Sequence, residues 1–472
     1  MKLSHPSRIW KVSKNTSQAE EPLPNQTGSF NTVIGYLAGD SFTSAYRNTL
    51  IGHVAGQSIN TGYENTCIGN QAGDNITSAR GNTFIGHQSG GSISTGNFNI
   101  SMGSASMYGH TTSSYNIALG PNAMRSYSTT ATSSSENVAI GTGTLYYYWN
   151  THNNIYGNVA VGQYAGQYML SGDYNVHIGS YAYSYYNNSS NGVAIGRNAR
   201  HNHFNCTSVG SYAGNSMYQQ SDYTTLIGSY AGYDLDGGDH CTFVGYQAGY
   251  QGGTGSHNVG VGNYALDNLS NGQKNTAVGV NACGIVSSGD NNTALGYEAL
   301  DASGSYSNNT AIGALAMSTA NNGDNNTCIG YASGPSGSFV SNEFTLGNST
   351  TATLRCNVQT ITSLSDQRDK TAIEDLDLGL DFIKAMKPRK FIWNRRDGHW
   401  HGKKEIGFIA QELHELEMDF SSTDRTRLVS YENPSKLEAR PMNTYPILVK
   451  AIQELSAKVD SLQARITELE GA

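Results

Sequence analysis

Asn31-Thr32-Val33-Ile34-Gly35, Asn48-Thr49-Leu50-Ile51-Gly52, Asn65-Thr66-Cys67-Ile68-Gly69 and Asn82-Thr83-Phe84-Ile85-Gly86 are four copies of one phrase, set seventeen residues apart. The closing glycine recurs as far as Gly347, and fourteen of the eighteen glycine-to-glycine intervals are seventeen residues. Within each copy the second and fourth positions carry Thr or Val and then Ile, Val or Leu, a period-two face that suits a short strand, with the glycine as a turn. Three residues past the glycine the side chain is always small, from Ala38, Ala55 and Ala72 through Ala248 and Ala282 to Ser333. A position that never admits bulk is one where neighbouring coils or chains approach closely. The opening Asn can hydrogen-bond its own turn and its copy one coil away. A lone coil cannot bury its face, so the array predicts a solenoid.

Outside this array the composition changes. From Phe30 to Leu364 there are 7 Lys or Arg and 15 Asp or Glu; from Ser365 to Ala472 there are 17 and 19. Four segments are expected: a leader or attachment segment over 1–29, the solenoid over 30–348, a neck over 349–364 and a separate domain over 365–472. The net charge of −8 provides no basic stripe for phosphates, so nucleic acid is not an expected partner. No basic start is followed by an apolar run, and no stretch of eighteen apolar residues is present, so neither a secretory signal nor membrane insertion is expected. Cys67, Cys206, Cys241, Cys283, Cys328 and Cys356 lack CxxC spacing and read as small buried residues rather than a zinc site or disulfide framework. No metal or cofactor is expected; His399-Trp400-His401 reads as a solvated basic loop.

Charged residues begin in earnest at Ser365-Asp366-Gln367-Arg368-Asp369-Lys370. A serine and a lysine can act as nucleophile and base when burial or a nearby cation, for which Arg368 is available, keeps the amine neutral. The alternative is structural, with Ser365 as a helix or turn cap beside Asp366 and Lys370 as a solvated surface ammonium. The segments that follow are Leu378-Gly379-Leu380-Asp381-Phe382-Ile383, Lys387 to Trp393, Ile406 to Leu413 and Tyr445 to Leu455. Together with Ser365–Lys370 this tail resembles the C-terminal intramolecular chaperone domain of phage endosialidases and tail fibres. The resemblance covers about 108 residues, Ser365 to the end. It implies that Ser365 attacks the bond before itself, Leu364-Ser365, with Lys370 as catalytic partner: a single-turnover self-cleaving serine peptidase.

The phrase Asn275-Thr276-Ala277-Val278-Gly279-Val280-Asn281-Ala282 is similar to the head repeats of trimeric autotransporter adhesins, which form a parallel β-roll of three chains. The last stretch carries Leu448, Ile452, Leu455, Val459, Leu462, Ile466 and Leu469 in steps of four and three, a coiled-coil seam. The expected fold is therefore mainly β: a trimeric parallel β-solenoid of about nineteen 17-residue repeats, followed by an α+β chaperone domain ending in a coiled-coil helix.

Two intervals stretch to twenty-one residues and one shrinks to fourteen. The second long interval contains Tyr147, Tyr148 and Trp149, and Tyr181 to Tyr186 forms another aromatic group. Such aromatics suit either packing between chains or contact with a host receptor, glycan or protein. The expectation is a phage tail-fibre-like, host-binding homotrimer, joined to the virion through its N-terminal segment and assembled in the host cytoplasm. The competing expectation is a tailspike that depolymerises polysaccharide. The body's few carboxylates show no pair set near the irregular coils, and glycoside hydrolysis needs two placed together, so no turnover activity is expected of the body.

Overall fold

A computed structural model describes residues 28–127, 133–146, 154–167, 169, 171–184, 189–201, 204–217, 221–285, 287–302, 304–319, 323–351, 353–355, 365–395, 401–420, 426–431 and 437–471. Each repeat phrase forms a three-residue strand, and these pair into one 19-stranded parallel sheet. The pairing is in register from coil to coil: Thr32, Val33 and Ile34 lie beside Thr49, Leu50 and Ile51, which lie beside Thr66, Cys67 and Ile68. Like therefore stacks on like. Main-chain bonds such as Thr32 N to Asn48 O and Gly52 N to Ile34 O, each 2.8 Å, tie successive coils together.

The motif glycine is demanded by this stacking. Gly35 has φ +134°, and a Cβ there would stand 2.2 Å from the carbonyl oxygen of Gly52 in the next coil. Only glycine combines that backbone region with so close an approach. Two residues later the chain turns through the left-handed region, at Leu37, Val54 and Tyr230 among others. At the β-branched Val54 that turn is strained by its own side chain and is held by the bond from Val54 N to Tyr36 O, 2.8 Å.

The small residues three past the glycine lie inside the coil. Ala38, Ala55, Ala72, Ala248 and Ala282 are buried in the hydrophobic clusters that fill the coils. In one coil the cluster includes Leu50, Ala55 and Ile59. A Cβ at Gly56, the residue after Ala55, would press on Leu50 and Ile59 at 2.7 and 2.8 Å. Full burial of a side chain such as Leu50 stabilises by about 1.5–3 kcal/mol. The more regular pair of strand residues, the Thr and the Ile, points outward, leaving Ile34, Ile227 and Leu295 about two-fifths to one-half exposed (42%, 40% and 48%).

The motif asparagines are buried and form a ladder. Asn31 Oδ1 accepts from Asn48 N at 2.9 Å and from Asn48 Nδ2 at 3.0 Å, while Asn48 Nδ2 also donates to Gly62 O at 2.9 Å. The arrangement repeats through Asn175, whose Oδ1 accepts from Gly192 N at 2.8 Å, and resumes at Asn258 and Asn275. Between these runs Cys206 and Cys241 take the position, their thiols donating to Ser221 O and Gly255 O. A second ladder runs two residues before the Asn: Asp222 N donates to Asp239 Oδ1 and Asp239 N to Ser256 Oγ. Together the ladders satisfy backbone groups that a short strand alone leaves open.

The shaft has two large hydrophobic clusters, one from Val33 to Met169 and one from Ala213 to Cys328, with the small group Ala182, Ala194 and Ala199 between them. Beside that small group the interior also takes up a polar pair. His177 replaces the Ala found at 160 and 194, and its Nε2 meets His201 Nε2 at 2.9 Å. Gly192 takes the Asn position there, and a Cβ on it would fall 2.2 Å from His201 Nδ1. The His201 ring thus occupies the room that the missing Asn side chain leaves.

The C-terminal region is small and α+β. Helix α1 (Leu380–Ala385), an antiparallel pair of strands (Arg389–Ile392 with Lys404–Gly407), helix α2 (Ala410–Asp419) and the long helix α3 (Tyr445–Glu470) follow in order. Leu378, Phe382, Leu413, Leu416, Leu428, Val429 and Ile447 form its core. Glu454 of α3 accepts from Leu380 N at 2.7 Å, fastening the two helices. The seam Leu448, Ile452, Leu455, Val459, Leu462, Ile466 and Leu469 lies open along α3.

Candidate functional site

At the head of the C-terminal region, Asp366 caps a single 3₁₀ turn, Gln367–Asp369, by accepting from Arg368 N at 2.9 Å. The turn folds the chain back, so that Lys370 Nζ donates to Ser365 Oγ at 2.5 Å. The five-residue spacing is therefore a contact. Both residues are exposed in the single chain.

Arg368 is engaged elsewhere. Its guanidinium grips the Asp366 carboxylate, with Nη2 2.6 Å from Oδ2, and this hydrogen bond followed by the Arg368 backbone bond holds the Asp366 carboxyl below its ordinary range. A cation already neutralised by a carboxylate is a weak source of field for depressing a neighbouring amine, contrary to the expectation from sequence. The cap is Asp366, whereas the structural alternative assigns that role to Ser365.

The other expected site residues fare differently. Leu364, Tyr147, Tyr148 and Trp149 lie outside the described residues, as do Cys356, His399 and Trp400. His401 Nδ1 is 3.0 Å from Asn394 Oδ1. Tyr181 packs on Tyr164 with ring centroids 5.2 Å apart, and Arg200 lies over the Tyr183 ring at 4.5 Å. Cys67, Cys206, Cys241, Cys283 and Cys328 are free and buried, and burial pushes the Cys241 thiol up to about 11. Among the described residues no three His, Cys, Asp or Glu side chains gather as a metal site, and no helix is long and apolar enough to cross a membrane.

A parallel β-solenoid followed by a compact α+β region, with a serine and lysine in contact at its first turn, defines a fibre-like protein with an appended C-terminal domain. Residues 365–421 of it match the family model described as the chaperone of endosialidase, and the match begins at Ser365. The combination fits a tail-fibre or endosialidase-type protein. No curated protein matches the chain.

Proposed function

We propose that the chain is a phage tail-fibre-like, host-binding protein whose C-terminal domain aligns three copies and then releases itself by cutting Leu364-Ser365. The observation that carries this reading is the contact of Lys370 Nζ with Ser365 Oγ at the first residue of the chaperone match. In the reaction Lys370, as the neutral amine, takes the proton of Ser365 Oγ. The oxygen attacks the Leu364 carbonyl carbon, the Leu364–Ser365 C–N bond breaks, and the new Ser365 amino group takes up the proton. An ester then joins Leu364 to Ser365 Oγ, and water hydrolyses it.

Two open surfaces support assembly before cutting. The outward Thr and Ile side chains form an apolar stripe along nineteen strands, about 85 Å long at the usual strand spacing. Exposed apolar surface on that scale marks an interaction face. The bare seam of α3 is the second such surface, and a coiled coil of like helices covers it. Assembly is also what desolvates Ser365 and Lys370, so cutting follows trimer formation. Residues 1–29 would join the virion.

The test is a denaturing and a native gel of freshly expressed full-length protein, with N-terminal sequencing of the small fragment. A trimeric body and a fragment beginning Ser365-Asp366-Gln367 are expected. A monomeric product, or any other first residue, overturns the reading.

A further inference from the structure

Aromatic side chains meet in pairs along most of the shaft, as in Tyr36 with His53 and Tyr46 with Tyr63. Just past the polar pair they form something larger. Tyr212 stacks on Tyr230 at 5.1 Å with planes 3° apart, and Tyr233 stacks on Tyr250 at 5.0 Å with planes 13° apart. Tyr230 also touches Tyr250 at 6.2 Å, which joins the two stacks.

Tyr246 breaks the stacking. Its plane stands at 82° to Tyr230 and at 83° to Tyr264, with centroids 6.4 and 5.4 Å away, and the side chain is 40% exposed. One ring is thus turned across the direction in which its neighbours stack. It lies on the turn after the strand, held by Tyr246 N donating to Asn263 Oδ1 at 3.1 Å, whereas the outward Thr and Ile stripe lies on the strand itself.

The charge around Tyr246 is mostly acidic, the cation nearest the cluster being Arg197, which lies over the far ring, Tyr212, at 5.4 Å. Residues 201–273 contain no Lys or Arg and five Asp, namely Asp222, Asp234, Asp236, Asp239 and Asp267. Asp234 and Asp267 are near enough to act on the Tyr250 phenol, which desolvation first and its tyrosine neighbours next already push up. Asp267 Oδ1 is buried, so the carboxylate a surface ligand reaches is that of the exposed Asp234. Rings with polar edges beside carboxylate acceptors suit hydroxyl-rich ligands: the apolar face of a sugar stacks on the ring and its hydroxyls donate to carboxylate. Anionic sugars meet like charge instead.

We infer that the turn surface centred on Tyr246, between Tyr230 and Tyr264, binds a neutral oligosaccharide of the host surface. The inference deepens the host-binding part of the proposed function and rests on it. It assigns adhesion to the described shaft between Tyr212 and Asp267, and it names a ligand class.

The test uses processed full-length protein, its trimer and cut fragment verified by gel, on an array of immobilised galactose-, glucose- and N-acetylhexosamine-terminated oligosaccharides beside sialylated and phosphorylated ones. Binding to at least one neutral arm is expected. Tyr246→Ala should weaken it at least about tenfold, the loss typical of an anchoring aromatic, and Tyr246→Phe should keep it. Binding confined to the anionic arms, binding unaffected by Tyr246→Ala, or no binding at all overturns the inference. Dissociation of the Tyr246→Ala trimer does so too, because the ring would then belong to an interface between copies. The gel reports separately on cutting and assembly, so failure on the array with a correctly cut trimer counts against the glycan site alone.

Discussion

His177 and His201, twenty-four residues apart, stack at 4.9 Å inside the shaft with their Nε2 atoms 2.9 Å from each other. Only one of two facing nitrogens can carry the proton of such a contact. A second proton there would set two N–H groups against each other and leave a buried cation.

This pair makes the middle of the rod acid-sensitive. Burial first, and His201 second, hold the His177 imidazole well below its ordinary 6.5. As pH falls through 6.5 the unfolded chain takes up protons that the folded rod refuses, so stability declines below that pH. His110, lowered to about 4 by burial, adds to the effect between 6.5 and 4. Asp267, raised to about 6 by burial, works the other way, its contribution being lost as pH rises through 6. The double variant His177→Ala, His201→Ser restores the residues found one coil away. Its melting temperature should fall less between pH 7 and pH 5 than that of the parent, with about 2–4 °C for each kcal/mol at stake. Parallel melting curves across that range would refute the assignment.

Cutting should depend on both members of the dyad. Ser365→Ala removes the attacking oxygen, and Lys370→Arg keeps the charge but removes a group that can lose its proton. Each variant should slow processing by about 10³-fold or more and still give a soluble, uncut trimer. Mass spectrometry of the purified protein after a day at room temperature reads the fraction cut. Normal cutting by either variant removes that residue from the mechanism.

Overpacking should show that the small column lies inside the coil. Ala248 and Ala282 are fully buried, and leucine at either should cost about 1–3 kcal/mol per chain. Thermal melting of the trimer measures it. Unchanged melting would place the column at the surface.

Loss of a ladder rung should cost more than loss of one hydrogen bond. Asn65 Oδ1 accepts from Asn82 N and Nδ2 at 3.1 and 3.0 Å, and its Nδ2 donates to Asn48 Oδ1 and Ala79 O at 3.1 and 2.8 Å. Asn65→Ala leaves several of these buried partners unpaired, at about 1–3 kcal/mol each. Cysteine stands at this position in two coils, so Asn65→Cys should lose less than Asn65→Ala. Denaturant titration orders the two variants, and the reverse order would contradict the ladder's role.

Much of this architecture is legible in sequence, because a solenoid repeats its local chemistry. The Gly35 series marks the coil, the Asn31 series announces the ladder, and the Leu448 to Leu469 spacing marks the helix. What alternation leaves undecided is which of two faces lies inside. Thr and Ile are the more regular pair, yet the interior takes the irregular middle residue, which ranges from Phe84 to Ala118 to His177. Regularity here belongs to the surface. Contacts such as His177 with His201, or Tyr230 with Tyr246, join residues sixteen to twenty-four apart, and only the stacking of coils brings them together. At the head of the C-terminal region the spacing of Ser365 and Lys370 is visible in sequence, but the capture of Arg368 by Asp366 follows from the geometry of one turn.

The close contact of Gly35 with Gly52 is repeated from junction to junction of the array as far as Gly313 with Gly330. The top of one coil is therefore a copy of its underside. Duplication or loss of a seventeen-codon unit leaves a new joint indistinguishable from the old ones. Each such event lengthens or shortens the shaft by about 5 Å and leaves the chaperone untouched. The gene can set the length of the shaft in whole steps, independently of the C-terminal domain.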